Sequence, residues 1–228
     1  SMEDKVPDAK TIWLFRDTLT QAHTMDRLFQ LFNRQLERQG IITHTGTIVD
    51  ATFVDAPRQR NTRDENKAIK SGEIPEEWQE NAPKAKHKLA QKDTDARWTI
   101  KNGEKHFGYK DHAKVDADSK LITAYAVTDA AVHDSRRFVD FIDQTDRVVY
   151  ADSPYSGQPI ADVLPDTVEK RIHEKGYREH PLTAEQKENN RVKSKTRARI
   201  EHVFGYMTGS MHGLTLRSIG KARAEFNI

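Results

Sequence analysis

Two amphipathic helices are predicted at the start of the chain. Apolar residues recur every three or four positions within residues 9–19 and again within residues 25–39. Asp8 can cap the first helix, and Gly40 can end the second. We expect residues 1–42 to form an N-terminal helical segment that packs on the domain that follows. The apolar positions are Ile12, Phe15, Leu19, Leu28, Leu31, Phe32 and Leu36.

The pattern then changes to that of a sheet. Residues 46–54 are apolar on both faces, which is typical of a strand buried within a sheet. Residues 105–130 are predicted to form a hairpin that turns at Asp118-Ser119. Two more short strands alternate with helices, so the order predicts an α/β fold with a mixed five-stranded sheet flanked by helices. These later strands are expected at 147–151 and about 167–174, and the helices at 133–144, 157–164 and 183–211.

Residues 55–100 interrupt this pattern with a long polar insertion. The segment contains three prolines and few apolar residues. We expect it to be either partly disordered or ordered by a ligand. The catalytic or binding domain would then span residues 43–228, with this insertion at about 55–100.

Composition narrows the class of protein. The 228 residues include no cysteine, which excludes disulfides and thiolate zinc sites. No apolar run approaches the roughly 18 residues of a membrane span, so we expect a soluble intracellular protein. Net charge is only +2, but residues 187–199 hold six Lys or Arg against one Glu. That run indicates either a polyanion partner or a solvated helix face.

Two aspartates occupy unusual positions for charged residues. Asp50 lies inside an apolar strand, and Asp152 follows another one directly. A buried carboxylate needs a cation or several hydrogen bonds, and adjacent parallel strands would bring the two together. Oxygen ligands of this kind suit Mg²⁺ or Mn²⁺. The alternative is that each aspartate simply caps a helix or a turn.

Glu201 is the third candidate. It lies in the last predicted helix at the border of an apolar stripe, and we expect it to face the sheet. Arg197 is one turn earlier on the same side, so an ordinary salt bridge is the competing interpretation. The stripe consists of Ile200, Val203, Phe204 and Met207.

Three blocks in this order resemble the signature blocks of the IS5-family bacterial insertion-sequence transposases. They are "IVDAT", "VVYADSPYSG" and "RARIEHVFG", and similar text covers nearly the whole chain except about residues 58–85. The resemblance implies an RNase H-like catalytic domain of the DDE type. It also implies that Asp50, Asp152 and Glu201 hold two Mg²⁺ or Mn²⁺ ions, which activate water and then a 3′-hydroxyl for attack on DNA.

The resemblance also implies a set of DNA contacts. Arg197 matches the arginine four positions before the glutamate, but Ser194 and Thr208 stand where the family has a tyrosine and a lysine. Lys221 could substitute, as could lysines of the basic run. His133 could contact DNA or cap a helix, Trp98 could stack on a base or pack on the sheet, and His112 is expected to be structural. The expected contacts are Arg191, Lys193, Lys195, Arg197, His133 and Trp98.

Family behaviour suggests a homodimer on paired DNA ends in the bacterial cytoplasm, associated with the nucleoid. Ser1-Met2 resembles a tag remnant, so we expect the natural start, with a DNA-binding segment, to lie elsewhere. A domesticated, non-cutting DNA-binding protein is the alternative function. A structural module with a basic helix would leave two carboxylates in apolar strands unexplained.

Overall fold

The centre of the protein is one mixed sheet. The structure, a computed structural model, describes residues 6–79, 87–157 and 164–228. Six strands lie within these ranges: β1 Thr47–Asp55, β2 Arg97–Lys101, β3 Glu104–Asp116, β4 Ile122–Asp129, β5 Val148–Ala151 and β6 Glu169–Ile172. Their order is β2-β3-β1-β5-β6, and β4 also pairs with β3. Because β1 is antiparallel to β3 and parallel to β5, the sheet is mixed, as predicted.

Seven α-helices accompany the sheet in the described ranges. They are α1 Ala9–Gln21, α2 Met25–Arg38, α3 Arg63–Lys70, α4 Ser135–Phe141, α5 Ala184–Arg197, α6 Arg199–Gly209 and α7 Lys221–Asn227. Helix α1 begins at the predicted cap, where Thr11 N donates to the Asp8 carboxylate at 2.7 Å. The short helix predicted over 157–164 lies almost entirely outside the described residues. No helix in the described ranges is long and apolar enough to cross a membrane.

The sheet has one strand more than the five predicted. Strand β2 lies at the end of the polar insertion and pairs with the start of β3. The turn between them is Asn102-Gly103, and both residues have positive φ, 52° and 83°. Such an Asn-Gly pair favours the tight turn that matches strand twist. The insertion is therefore shorter than predicted, and it also contains α3, which a Thr62–Glu65 capping box begins.

The long C-terminal helix predicted over 183–211 is interrupted. A turn at Ala198 separates α5 from α6, and Glu201 N donates to Ala198 O at 3.2 Å across only three residues. Since alanine favours helix, the break arises from tertiary contacts rather than from local propensity. It lets Arg197 reach the sheet while Ile200, which is fully buried, packs on it.

Apolar side chains cover both faces of the sheet. On one face α4 packs through Phe138 against Val49 and Val149. On the other face α6 packs through Ile200 and Met207, so the predicted apolar stripe is confirmed. The two faces of β1 are therefore both occupied, as its sequence predicts.

The N-terminal helices lie at the β4 side of the sheet. The rings of Phe29 in α2 and Tyr125 in β4 meet edge to face, with centroids 5.2 Å apart. Asn33, which is buried, donates from its side-chain amide to the carbonyl of Thr123 at 3.0 Å. The described part of α1 packs against α7.

Candidate active site

Asp50, inside β1, lies beside Asp152, which directly follows the neighbouring parallel strand β5. The pairing of β1 with β5 places Ile48 opposite Tyr150. Two residues further along each strand, Asp50 and Asp152 follow the same register. Because side chains two residues apart share a face, both carboxylates lie on the face that α6 covers. The sheet therefore brings together two residues that the sequence separates by about a hundred positions.

Asp50 is largely buried and fully hydrogen bonded. One carboxylate oxygen accepts from Ala51 N at 2.8 Å, and the other accepts from Arg197 Nη1 at 3.0 Å. Burial raises the pKa of the Asp50 carboxyl, and the charge of Asp152 adds to this effect. The Ala51 N–H and the Arg197 guanidinium oppose it. Arg197 is thus the cation that compensates this carboxylate in the free protein.

Asp152 has the capping role that the sequence left open, and one of its oxygens remains unused. Its Oδ1 caps the 3₁₀ turn Ser153–Tyr155 by accepting from Ser153 N at 2.8 Å. The same oxygen lies 3.2 Å from His173 Nδ1. Its Oδ2 makes no hydrogen bond within the described part of the chain, and the side chain is 44% exposed. One oxygen is therefore held by the protein and the other is accessible to a ligand.

The prediction that Glu201 faces the sheet is wrong. Its side chain is 61% exposed, because Ile200 takes the buried position on α6. Glu201 is nevertheless tied to the site, since Arg197 Nη2 donates to it at 3.1 Å. The predicted salt bridge is present, and the same guanidinium holds Asp50. Arg197 therefore bridges the first and third carboxylates of the expected triad.

Two buried polar atoms near these carboxylates have no hydrogen-bond partner among the described residues. They are the Tyr155 hydroxyl and Arg197 Nε. Burial raises the pKa of Tyr155, and the charges of Asp50 and Asp134 raise it further, so the hydroxyl remains a donor. Unsatisfied buried donors are rare in folded proteins. Both atoms lie close to Asp50, whose charge acts on each of them.

The donor chemistry of this site fits a hard divalent cation only in part. Asp50 and Asp152 offer carboxylate oxygens, which Mg²⁺ and Mn²⁺ prefer. However, no three His, Asp or Glu side chains in the described ranges are grouped closely enough to hold a metal ion. Glu201 is instead paired with Arg197. Two of the three expected ligands are therefore assembled.

The predicted DNA contacts on α5 differ in their surroundings. Lys193 Nζ donates to Ile172 O at 2.9 Å and lies 3.4 Å from Glu174, so it is used within the protein. Arg191 is exposed but pairs with Glu188 at 2.7 Å. Lys195 is exposed and makes no hydrogen bond or ion pair within the described residues. Of the three, Lys195 is the most available to a phosphate.

The remaining candidates lie elsewhere. Exposed His133 precedes α4, with Nδ1 2.7 Å from Ser135 Oγ. Trp98 is 45% exposed on β2, and its ring lies 5.0 Å from that of Phe107. Lys221, at the start of α7, pairs with Glu225. His112 is buried against Thr128, as a structural residue would be, and burial lowers its pKa to about 4.

Sequence analysis missed two residues of this site, His173 and Tyr155. His173 directly follows β6, just as Asp152 follows β5. A polar residue at the end of a third predicted strand was a signal that could have identified it. Tyr155 gave no comparable signal, because the sequence "DSPY" predicts only a turn.

Residues 42–228 match the family model of the transposase DDE domain. No solved structure matches the chain. The match covers the whole sheet together with Asp50, Asp152 and Glu201, and the mixed sheet flanked by helices is the RNase H-like architecture that the resemblance implies. The chain therefore belongs to the transposase DDE domain family.

Proposed function

We propose that this chain is the catalytic part of an IS5-family insertion-sequence transposase. It cuts DNA strands at the ends of the element and joins the freed 3′-hydroxyls to target DNA, with Mg²⁺ or Mn²⁺ as cofactor. The observation that carries the proposal is the placement of Asp50 beside Asp152 on one sheet face, with Glu201 joined to Asp50 through Arg197. The family match supports action on DNA.

In this proposal the carboxylates of the site bind the metal ions, and the neutral Tyr155 donates a hydrogen bond. Two divalent ions, when bound, supply Lewis-acid activation of the attacking oxygen and stabilise the leaving oxygen. Asp50 and Asp152 would hold them, with Glu201 as the third ligand. The buried Tyr155 hydroxyl remains protonated and can donate a hydrogen bond to a ligand of the site. No protein nucleophile is needed, in keeping with the lack of cysteine.

Glu201 has to exchange partners before it can serve as a ligand. Arg197 holds it at 3.1 Å in the free protein. A phosphate is a strong bidentate partner for a guanidinium. We therefore propose that the DNA backbone takes over part of Arg197, which would release Glu201 to serve as the third ligand. Lys195 and Arg191 on the outer side of α5 supply further phosphate contacts, while His133 and Trp98 remain candidate contacts.

The second copy of the chain is proposed to dock on the N-terminal helices. Large apolar side chains on α1 and α2 are about half exposed, and a concentration of exposed apolar side chains is typical of an interaction surface. A homodimer would place two catalytic domains on paired element ends in the bacterial cytoplasm, at the nucleoid. Sedimentation of the chain with and without paired ends tests this part. The exposed residues are Ile12, Trp13, Leu14, Phe15, Leu28, Leu31 and Phe32.

A domesticated DNA-binding protein that no longer cuts is the second candidate. The incomplete grouping of carboxylates in the described ranges favours it. It predicts DNA binding without strand cleavage in either metal. The intact Asp50, Asp152 and Glu201 set favours the transposase.

The decisive experiment uses DNA that carries the inverted repeats flanking the coding sequence. The chain is incubated with this DNA and Mg²⁺ or Mn²⁺, and new 3′-hydroxyl ends are mapped by primer extension. Asp152→Asn should abolish cleavage and leave DNA binding intact. Asp166→Asn, at an exposed loop position, is the matched control and should cut like wild type. Equal cleavage by Asp152→Asn would overturn the proposal, and binding without any cleavage by wild type would favour the second candidate.

A further inference from the structure

A chain of hydrogen bonds leads from Asp152 into helix α5. His173 Nδ1 lies 3.2 Å from Asp152 Oδ1, and His173 Nε2 lies 3.2 Å from Ser194 Oγ. We propose that His173 is a positioning residue, fixed by Ser194, which orients the Asp152 carboxylate so that its second oxygen faces the cation. This inference rests on the proposed function, because it assigns Asp152 to metal binding.

The sheet places His173 beside Asp152. Strand β6 is parallel to β5, and Ala151 lies opposite Ile172. The ladder continues one step further, since His173 N donates to Ala151 O at 3.1 Å. His173 is therefore the neighbour of Asp152 across the two strands, and its side chain is only 11% exposed.

Helix α5 is clamped to the residues on both sides of His173. The Asn190 side chain accepts from Glu174 N at 2.9 Å and donates to Glu174 O at 3.0 Å. Lys193 donates to Ile172 O at 2.9 Å. These bonds fix the distance between the helix and the strand end, so the imidazole is held between two elements. Part of the polar run read from the sequence as a DNA-binding face is thus used to hold this histidine.

Both ring nitrogens of His173 have a partner. The Asp152 carboxylate can only accept, so the bond at Nδ1 requires a proton on that nitrogen. Ser194 Oγ lies 3.2 Å from Nε2 and 2.8 Å from Asn190 O. The imidazole is therefore held from both sides.

This arrangement leaves the two oxygens of Asp152 unequal. Oδ1 accepts from Ser153 N and from His173, whereas Oδ2 has no hydrogen bond within the described ranges. Ligating carboxylates are commonly oriented in this way by a partner on the oxygen that does not bind the metal. The assignment also accounts for Ser194, which stands where the resemblance implies a tyrosine. Its small hydroxyl fits against the imidazole edge.

The test measures Mn²⁺ binding by calorimetric titration of the full chain. His173→Asn and Ser194→Ala should each weaken Mn²⁺ binding by about 10–100-fold, the usual cost of losing such a partner. Ser194→Thr keeps the hydroxyl and should restore most of the affinity. The matched controls are Ser210→Ala, at an exposed helix end, and His23→Asn, at an exposed turn with φ of 49° that asparagine tolerates. Both should bind Mn²⁺ like wild type.

Two spectroscopic measurements separate positioning from other roles. A long-range ¹H–¹⁵N spectrum of the metal-free protein should show a proton on His173 Nδ1 in wild type, and the fixed orientation of the ring should be lost in Ser194→Ala. Electron spin-echo spectroscopy of bound Mn²⁺ should show no directly coordinated nitrogen. A nitrogen bound to Mn²⁺, or unchanged Mn²⁺ affinity in folded His173→Asn, would overturn the assignment.

The two proposals fail in different ways. If wild type binds Mn²⁺ but cuts no DNA, and His173→Asn still weakens Mn²⁺ binding, the transposase proposal fails and the positioning role stands. If Asp152→Asn abolishes cleavage while His173→Asn retains both metal affinity and kcat, the positioning role fails and the proposed function stands.

Discussion

The surroundings of Asp111 do not stabilise a negatively charged carboxylate. It lies in the middle of β3 and is fully buried, and neither of its oxygens has a hydrogen-bond partner among the described residues. Burial raises the pKa of Asp111 to about 7. Asp111→Asn replaces the neutral acid with an amide of the same shape that cannot ionise. The substitution therefore isolates the cost of ionising this one group.

The size of the effect follows from the difference between the two states. A pKa of 3.8 in the unfolded chain and about 7 in the folded protein corresponds to about 4 kcal/mol. Because the folded pKa is the higher one, the stabilisation is fully present below about pH 4 and is lost as pH rises through 7. Four kcal/mol is a large share of the 5–15 kcal/mol that usually stabilises a domain.

Denaturant unfolding at several pH values measures this contribution. At pH 4 the free energies of unfolding of wild type and Asp111→Asn should be nearly equal. As the pH rises to 8, the variant should become more stable than wild type by a margin approaching 4 kcal/mol. Taking the difference between the two proteins at each pH cancels the titration of all other groups.

Asp116 provides the matched control on the same strand. Burial alone would raise its pKa, but hydrogen bonds from Ser119, His44 and Thr43 lower it below the ordinary value. Asp116→Asn should therefore destabilise the protein at neutral pH, and the loss should shrink as pH falls. If the stability difference between wild type and Asp111→Asn does not change from pH 4 to 8, the reasoning about the buried acid is refuted.

Three further predictions concern other parts of the molecule. Tyr155→Phe should leave the free energy of unfolding unchanged or raise it by about 1 kcal/mol, because the buried hydroxyl has no partner in the described ranges; a clear loss of stability would show that the hydroxyl is bonded within the free protein. Burial opposes ionisation of Glu65, but bonds from Lys88, Thr62 and Trp78 lower its pKa from 4.5 to about 2. Glu65→Gln should thus cost about 3 kcal/mol at pH 7, and the difference should disappear as pH falls from about 5 to 2, measured by thermal unfolding; a loss independent of pH would contradict it. Lys195→Ala should weaken DNA binding and reduce the slope of log affinity against log salt by about 1, whereas Lys10→Ala on α1 should not change the slope.

The parts of the fold that could be predicted are those where apolar spacing decides the element. Strand β1 and the stripe on α6 are examples. A strand buried on both faces has a continuous apolar run, and a helix buried on one face has apolar residues every three or four positions. Strand β2 was missed because its surroundings are polar, and Trp98 and Ile100 remain exposed on it. The break at Ala198 could not be predicted either, because it depends on what Arg197 and Ile200 contact.

The site follows the same division. Asp50 and Asp152 could be found because a charged residue within an apolar strand, or directly after one, stands out in the sequence. Glu201 was identified, but its orientation was wrong, because a residue at the border of a stripe can turn either way. Two features of the site depend on strand register and helix placement: the bridge made by Arg197 and the contact of His173 with Ser194. Neither register nor placement can be read from the spacing of residues along the chain.

Helix α2 covers the edge of the sheet that β4 forms. Among the strands that the structure describes, β4 pairs only with β3, so its outer side is an edge of the described sheet. Asn33 occupies the Thr123 carbonyl on that edge, and Phe29 lies over Tyr125. An open edge is a template for strand addition and aggregation. A shortened protein that begins at residue 43 would lack α2 and expose this edge, so we expect it to be less soluble than the longer chain.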